Sequence, residues 1–326
     1  MKVARPDRSE GHLFEQTSTM SKGKTMNPAT SSNLNTAIPQ ISLPDGTAIP
    51  QLGFGTLRVQ PDREQSASNA EITAQVVGLA LRAGYRHLDT AQNYGNEQGV
   101  GKAIAESGLP REELYVTSKL GDGNHRPDDV RRSFARTLEN LGLDQLDLFL
   151  IHWPLPTEYD GDYVSTWKAM TDLVAEGRLR SAGVSNFQPA HLDRIVAETG
   201  ITPVVNQFEL HPYFSNAAAS TASTRHGIAV EAHSPLGHDG KPLGDATIAG
   251  IAAAHGKTTA QIVLRWHLQH GHVIIPKSAR PERMAENLAV FDFELTADEI
   301  TSIDALDRGE SGRVGPNPDK YPGQHH

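Results

Sequence analysis

The sequence predicts an α/β fold, a (β/α)8 TIM barrel with an N-terminal β-hairpin and extra C-terminal helices. Three observations predict it. Short apolar runs alternate with segments of helical period from Ile41 onward. Such alternation implies parallel strands joined by right-handed crossovers. Eight units in roughly 270 residues fit a closed barrel better than an open doubly wound sheet, which stays as the alternative.

The elements follow in order. Ile41-Ser42-Leu43 and Ile49-Pro50-Gln51-Leu52 flank Pro44-Asp45-Gly46, a hairpin signal. A first strand lies near Gly53 to Leu57. Ile72, Val76 and Leu79 mark a helix ending before Gly84. Strands are predicted over Arg86 to Ala91, Leu114 to Leu120, Leu146 to Trp153, Ser181 to Ser185, Pro203 to Glu209, Ile228 to His233 and His272 to Pro276. Helices are predicted over Glu97 to Ser107, Pro127 to Leu141, Thr166 to Glu176, Pro189 to Thr199, Ala246 to His255 and Thr259 to His270. A short helix is expected near Ala217 to His226, and Pro281 to Leu288 and Ala297 to Leu306 close the chain. The run through Leu146 to Trp153 is almost wholly apolar, as a strand buried on both faces should be.

Composition narrows the function classes. Hydrophobic residues make 37% and charged residues 21% of 326, a soluble globular balance. Net charge is −9, which argues against a phosphate-backbone binder, so no nucleic acid partner is expected. The absence of cysteine removes disulfides, thiolate metal sites and cysteine nucleophiles, and fits a cytoplasmic chain. No stretch approaches the roughly 18 apolar residues of a membrane helix. Residues 1–36 are rich in Ser, Thr, Asn and Lys with no apolar segment behind their charges. They read as a disordered tail rather than a secretory signal, leaving residues 37–326 as one barrel domain.

Several motifs fail. Gly53-Phe54-Gly55 is followed by Thr56-Leu57-Arg58, so no G-x-G-x-x-G fingerprint is present. Gly99-Val100-Gly101-Lys102 lacks the first Gly and the final Ser/Thr of a P-loop. Gly183-Val184-Ser185-Asn186-Phe187 lacks the second Gly of a nucleophile elbow. His267, His270 and His272 cluster, but no carboxylate is close in sequence to complete a metal site. They read as the polar end of a helix, and no metal is expected.

Four residues fall at or just beyond predicted strand ends, where this barrel class places its chemistry. They are Asp89, Tyr94, Lys119 and His152. Taken singly, each has an ordinary structural role as helix cap, core aromatic, solvated cation or satisfied core histidine. Taken together at successive strand ends, they make a coherent catalytic set.

Two segments carry a family resemblance. Asp89-Thr90-Ala91-Gln92-Asn93-Tyr94-Gly95-Asn96-Glu97 resembles the D-T-A-x-x-Y-G-N-E signature of the aldo-keto reductases. Ile274-Ile275-Pro276-Lys277-Ser278 resembles that family's I-P-K-S element. The resemblance spans about Ile41 to Pro316 and is closest to bacterial members of the 2,5-diketo-gluconate reductase type. It implies an NADPH-dependent reductase of small aldehydes or ketones, dicarbonyls and keto-sugars included, acting as a monomer.

The resemblance implies roles that chemistry supports. Hydride arriving at a carbonyl carbon leaves negative charge on oxygen, which needs a proton donor and an electrostatic cradle. Tyr94 would give the proton. Lys119 would lower the tyrosine pKa, Asp89 would orient Lys119, and His152 would polarise the carbonyl. Gly55, Thr56, Ser185, Asn186, Gln207, His233, Ser234 and Leu236 match cofactor-binding positions. Lys277, Ser278 and Arg283 would meet the adenosine 2′-phosphate, favouring NADP over NAD, with Glu286 and Asn287 facing the adenine. Trp153 and Leu57 would wall the substrate pocket.

Two positions depart from the family pattern. His233 stands where a tyrosine usually stacks on nicotinamide, and a histidine titrating near neutral pH would make cofactor affinity pH-dependent. Leu57 stands where many relatives carry a Trp, and the smaller wall would admit bulkier substrates. A non-catalytic cofactor-binding or regulatory barrel is the competing class, disfavoured by the four intact catalytic-type residues. A metal-dependent hydrolase would want a His-x-His ligand set near the first strand, which is absent.

Overall fold

The computed structural model describes residues 38–324, so the tail expected over residues 1–36 lies outside the described residues. The chain enters through an antiparallel hairpin of β1 (Gln40–Ser42) and β2 (Ala48–Pro50), with Ile41 opposite Ile49. Asp45 shapes its turn by accepting from the Thr47 backbone N–H at 3.0 Å. The same carboxylate accepts from Ser181 Oγ at 2.7 Å, tying the hairpin to the barrel.

Eight parallel strands follow in chain order. They are β3 (Phe54–Gly55), β4 (His87–Asp89), β5 (Tyr115–Leu120), β6 (Leu146–Ile151), β7 (Leu179–Ser185), β8 (Val205–Glu209), β9 (Ala229–His233) and β10 (Val273–Ile274). The first and last strands meet: Gly53 N donates to Ile274 O at 2.8 Å, Ile274 N to Gln51 O at 2.9 Å, and Gly55 N to Pro276 O at 3.2 Å. These bonds close the sheet into the predicted barrel and exclude the open alternative.

Ten helices are described: α1 (Ala67–Ala83), α2 (Glu97–Ser107), α3 (Pro127–Leu141), α4 (Tyr163–Ala175), α5 (Pro189–Thr199), α6 (Ala217–Arg225), α7 (Ala246–His255), α8 (Thr259–Gln269), α9 (Pro281–Leu288) and α10 (Ala297–Asp304). Both α7 and α8 fall between β9 and β10, and α9 and α10 follow the last strand. Among the described residues no helix is long and apolar enough to cross a membrane.

Apolar side chains split into two cores. One lies between strands and helices and includes Phe54, Leu88, Phe134, Phe149, Trp167 and Phe187. The smaller one holds Tyr115, Leu148, Leu150, Val205 and Val273, with Leu43 and Ile49 of the hairpin region packed onto it. Truncating one such buried side chain to alanine would cost about 2–5 kcal/mol.

Boundaries differ from expectation where apolar periodicity is silent. Helix α1 ends before Gly84 as expected and starts at Ala67, ahead of its first apolar marker Ile72, because Ser66 Oγ caps it by accepting from Asn69 N at 3.2 Å. The last strand stops at Ile274, two residues short of the predicted Pro276, whose missing N–H cannot extend a ladder.

Candidate active site

The chemistry-bearing side chains gather where the strands end. Asp89 closes β4, Lys119 lies in β5, and His152 follows β6 directly. Tyr94 sits on a 3-10 turn, Gln92–Tyr94. That turn is held by side chains whose roles the sequence did not reveal. Gln60 Nε2 donates to Tyr94 O at 2.7 Å, Asn96 Nδ2 to Thr56 O at 2.9 Å, and Thr90 Oγ1 to Asn96 Oδ1 at 2.6 Å. Gly95 has φ +68, and a Cβ there would strike the Arg63 carbonyl, so the position requires glycine.

The Lys119 ammonium is fully buried and has three hydrogens to give. It meets three acceptors: Asp89 Oδ1 at 2.6 Å, Thr90 O at 3.0 Å and Tyr94 Oη at 3.3 Å. Tyr94 therefore accepts from Lys119, and its own hydroxyl hydrogen is left free. Burial opposes the Lys119 charge, but Asp89 and Tyr94 outweigh it and raise the lysine above its ordinary value.

At Tyr94 the expected pull of Lys119 is present, but burial sets the net direction. Burial pushes its phenol up, and Lys119, which pulls it down, does not overcome that. The hydroxyl is thus protonated at neutral pH, the form a proton donor needs.

His152 lies edge-on to Tyr94, with ring centroids 5.7 Å apart. Burial holds it well below the ordinary histidine value, and the nearby Lys119 charge adds to the effect. It is therefore a neutral imidazole beside Tyr94. Its Nδ1 is buried without a hydrogen-bond partner.

The residues expected on the nicotinamide side also touch one another. The register pairs Ser185 with Gln207 across β7 and β8. Asn186 gives its amide hydrogens to His152 O at 2.9 Å and Ser185 Oγ at 3.1 Å, so its Oδ1 accepts from His233 Nε2 at 3.2 Å. Ser234 is 3.3 Å from the other His233 nitrogen and has φ +52, while Leu236 packs partly against the core. Thr56 donates to Asp89 O through its backbone N–H at 3.0 Å and its hydroxyl at 2.9 Å. A Cβ on Gly55 would come within 2.8 Å of Ile275 O, so glycine permits close contact with the last strand's extension.

His233 corrects an expectation. Burial lowers it to about 4, with Glu209 opposing and Lys119 reinforcing. It is neutral through the physiological range rather than titrating there.

Farther out, Lys277 and Arg283 are exposed, and neither makes an ion pair among the described residues. Ser278 is buried and accepts from Arg280 N at 3.1 Å. Glu286 accepts from the Thr258 hydroxyl. Asn287 is buried and hydrogen-bonded to Tyr85. The last two are thus engaged with the protein in this structure rather than presented outward.

Trp153 packs on Tyr321 with ring centroids 4.3 Å apart, and Leu57 is half-buried on the turn after β3. The Tyr321 hydroxyl and Gln324 N both donate to Asp122 Oδ2, at 3.0 and 2.8 Å. Glu209 receives Val314 N at 2.8 Å and Gly315 N at 2.7 Å. The C-terminal segment is therefore fastened across the strand ends. A cavity of about 800 Å³ lies beside the Gln92–Tyr94 turn, lined by Gln92, Asn93, Glu97 and Arg136, among others, but by none of Asp89, Tyr94, Lys119 and His152. Cavity size does not mark the chemistry here.

Of the histidine cluster, exposed His270 caps the helix end as expected from sequence, and His267 departs from that reading. His267 is fully buried and donates from Nε2 to Pro235 O at 3.0 Å, so its Nδ1 accepts from His272 Nδ1 at 3.2 Å. His270 pairs instead with Asp304 of α10. Among the described residues no group of three or more His, Cys, Asp or Glu could hold a metal ion.

Comparison with known proteins agrees with this geometry. Residues 51–308 match the model of the Aldo/keto reductase family. An aldo-keto reductase of Mycolicibacterium smegmatis is 48% identical over 280 residues, covering 86% of this chain and 97% of the relative. The methylglyoxal reductase DkgA of Escherichia coli is 45% identical over 284 residues, covering 87% and 98%. A solved structure of a Gox0644 mutant in complex with NADPH is 43% identical with a TM-score of 0.80, covering 87% of this chain and 99% of that one.

Proposed function

The chain belongs to the aldo/keto reductase family, and from that premise we propose that it is an NADPH-dependent reductase of small aldehydes and ketones with Tyr94 as general acid. The observation that carries this reading is the Lys119 ammonium, which spends its hydrogens on Asp89, Thr90 and Tyr94 and leaves the phenolic hydrogen available. The relatives named methylglyoxal reductase point to reactive dicarbonyls as the first class to test.

The residues fit the cofactor. Lys277 and Arg283 are exposed cations that make no ion pair among the described residues, suited to a 2′-phosphate. Ser185, Asn186 and Gln207 present polar groups at adjacent strand ends for a carboxamide. Glu286 and Asn287 are assigned to the adenine end, exchanging their present partners. NADPH, when bound, supplies hydride to the carbonyl carbon.

The chain's own groups do the rest. The His152 N–H and the Tyr94 O–H converge on the carbonyl oxygen and stabilise the charge that develops there. Tyr94 passes its proton to that oxygen. The resulting tyrosinate is stabilised by the Lys119 ammonium already pointed at it, which can return a proton to it. Trp153, Leu57 and Tyr321 exclude water and set the shape of the substrate. The enzyme is read as a monomer formed by one barrel domain.

The test is NADPH oxidation, followed by near-ultraviolet absorbance, with methylglyoxal, diketones, keto-sugars and simple aldehydes. Turnover of any of them supports the reading. A chain that binds NADPH and reduces none of them contradicts it.

A further inference from the structure

The barrel interior beneath the catalytic set contains a second carboxylate. Glu231 lies in β9 and is fully buried. The groups facing it are Asp89 and His87 from β4, Lys119 and Tyr115 from β5, and Gln207 from β8, while its register partner on β10 is the apolar Val273. Lys119 is the one cation among them, and Asp89 already holds it at 2.6 Å.

The hydrogen bonds are specific. Gln207 Nε2 donates to Asp89 Oδ2 at 2.9 Å and to Glu231 Oε2 at 3.0 Å. An amide nitrogen has two hydrogens, so both are used and the orientation of the amide is fixed. Its Oε1 must then be the atom offered to other partners. Among the described residues Glu231 Oε1 has no hydrogen-bond partner, and His87 Nε2 stands 3.8 Å away. An ionised carboxylate with a single hydrogen bond in such an interior is strongly disfavoured, and the group takes up a proton instead.

We propose that Glu231 is a positioning residue of this site, held as the neutral acid, which locks the Gln207 amide and leaves the Lys119 charge to Asp89 and Tyr94. The inference rests on the reading of those residues given above. Burial and the neighbouring Asp89 charge push Glu231 up to about 8, in keeping with the geometry. Losing this proton would add a second negative charge beside Asp89. That charge would strengthen the hold of Lys119 and Tyr94 on their protons. Tyr94 would become a weaker acid, and carbonyl reduction would fall at alkaline pH.

The test combines infrared spectroscopy with a pH profile. The wild-type minus Glu231→Gln difference spectrum at pH 7 should contain the C=O stretch of a protonated carboxyl, fading as the pH passes about 8. In Glu231→Gln, which cannot ionise, the alkaline fall of kcat/KM should move up by about one pH unit or more. If Glu231→Gln does not fold, Glu231→Asp should shift the infrared band rather than delete it. Carboxylate bands in place of the C=O stretch at pH 7, or an alkaline limb unmoved in Glu231→Gln, would overturn the proposal. The infrared band is read without substrate, so a wild type that reduces no carbonyl compound would strike the functional reading separately.

Discussion

The Lys119 ammonium donates to the Tyr94 hydroxyl oxygen at 3.3 Å and lies 4.9 Å from the centre of its ring. This contact occupies the oxygen of the phenol and leaves its hydrogen unspent. The phenol accepts from Lys119 and keeps its own hydrogen to donate, with the His152 ring edge-on to it at 5.7 Å between centroids.

Replacing Lys119 by methionine should lower kcat by about 10²–10⁴-fold, the range for losing positioned acid–base help. It should also destabilise the fold by about 3–5 kcal/mol, because Asp89 is left as a buried charge without its cation. Adding Asp89→Asn should recover part of that stability but none of the turnover. Urea unfolding and steady-state kinetics on the single and double variants check both halves. A Lys119→Met variant as stable as the wild type would show that the pair contributes little.

Acid should destabilise the protein at mild pH. His125, His233 and His272 are lowered to about 4 and His87 to about 3, from an ordinary value of 6.5. The unfolded chain then binds more protons than the native one in between. Stability from this source is complete above about pH 6.5 and is lost as the pH falls toward 4, at up to ~1.4 kcal/mol per pH unit for each histidine. Glu231 acts oppositely: raised from 4.5 to about 8, it reduces stability as pH rises across that range. Four histidines outweigh one glutamate between pH 4.5 and 6.5, so unfolding free energy should climb there. A flat profile would mean these histidines are solvated. The neutral His233 also predicts that His233→Tyr leaves the shape of the NADPH Kd profile between about pH 5.5 and 8 unchanged.

Arg283→Ala should weaken NADPH binding by about 10–100-fold, the loss of one charge-assisted contact of ~1.5–3 kcal/mol, and leave NADH binding unchanged. Fluorescence titration with both cofactors separates the outcomes. Equal losses for NADPH and NADH would place Arg283 away from the 2′-phosphate.

Glu209→Ala should release the C-terminal segment. Val314 N and Gly315 N would lose their acceptor, at a cost of about 1–3 kcal/mol. Tyr321 would no longer be steadied against Trp153, so KM for the carbonyl substrate should rise while the Kd of NADPH holds. Hydrogen exchange at residues 314–324 reads the release directly. Protection equal to the wild type would show that its other contacts, those to Asp122, Arg63 and His191, hold the segment without Glu209.

The sequence made the barrel legible because period-2 and period-3.6 apolar patterns report burial, and burial dominates this fold. Asp89, Tyr94, Lys119 and His152 were legible from their places at strand ends, and the structure brings them together. Electrostatics was not. The net direction at Tyr94 and at His233 depends on how deeply each is buried, which spacing along the chain does not encode. Glu231 offered a faint signal, an acidic residue inside the run Ala229-Val230-Glu231-Ala232 of a strand buried on both faces. Glu209 and Asp122 act through contacts with a segment more than 100 residues away, which no local pattern anticipates. Ser66 and Asn96 show the same limit at short range, since a cap or a bracing amide carries no periodicity.

The most direct measurement is single-turnover reduction of methylglyoxal by the NADPH-loaded wild type and its Tyr94→Phe variant, with cofactor affinity measured alongside. The phenylalanine keeps the ring and removes the proton, so the rate of the chemical step should fall by about 10²–10⁴-fold while the Kd of NADPH stays the same. A Tyr94→Phe variant that reduces the carbonyl at the wild-type rate would contradict Tyr94 as the proton donor.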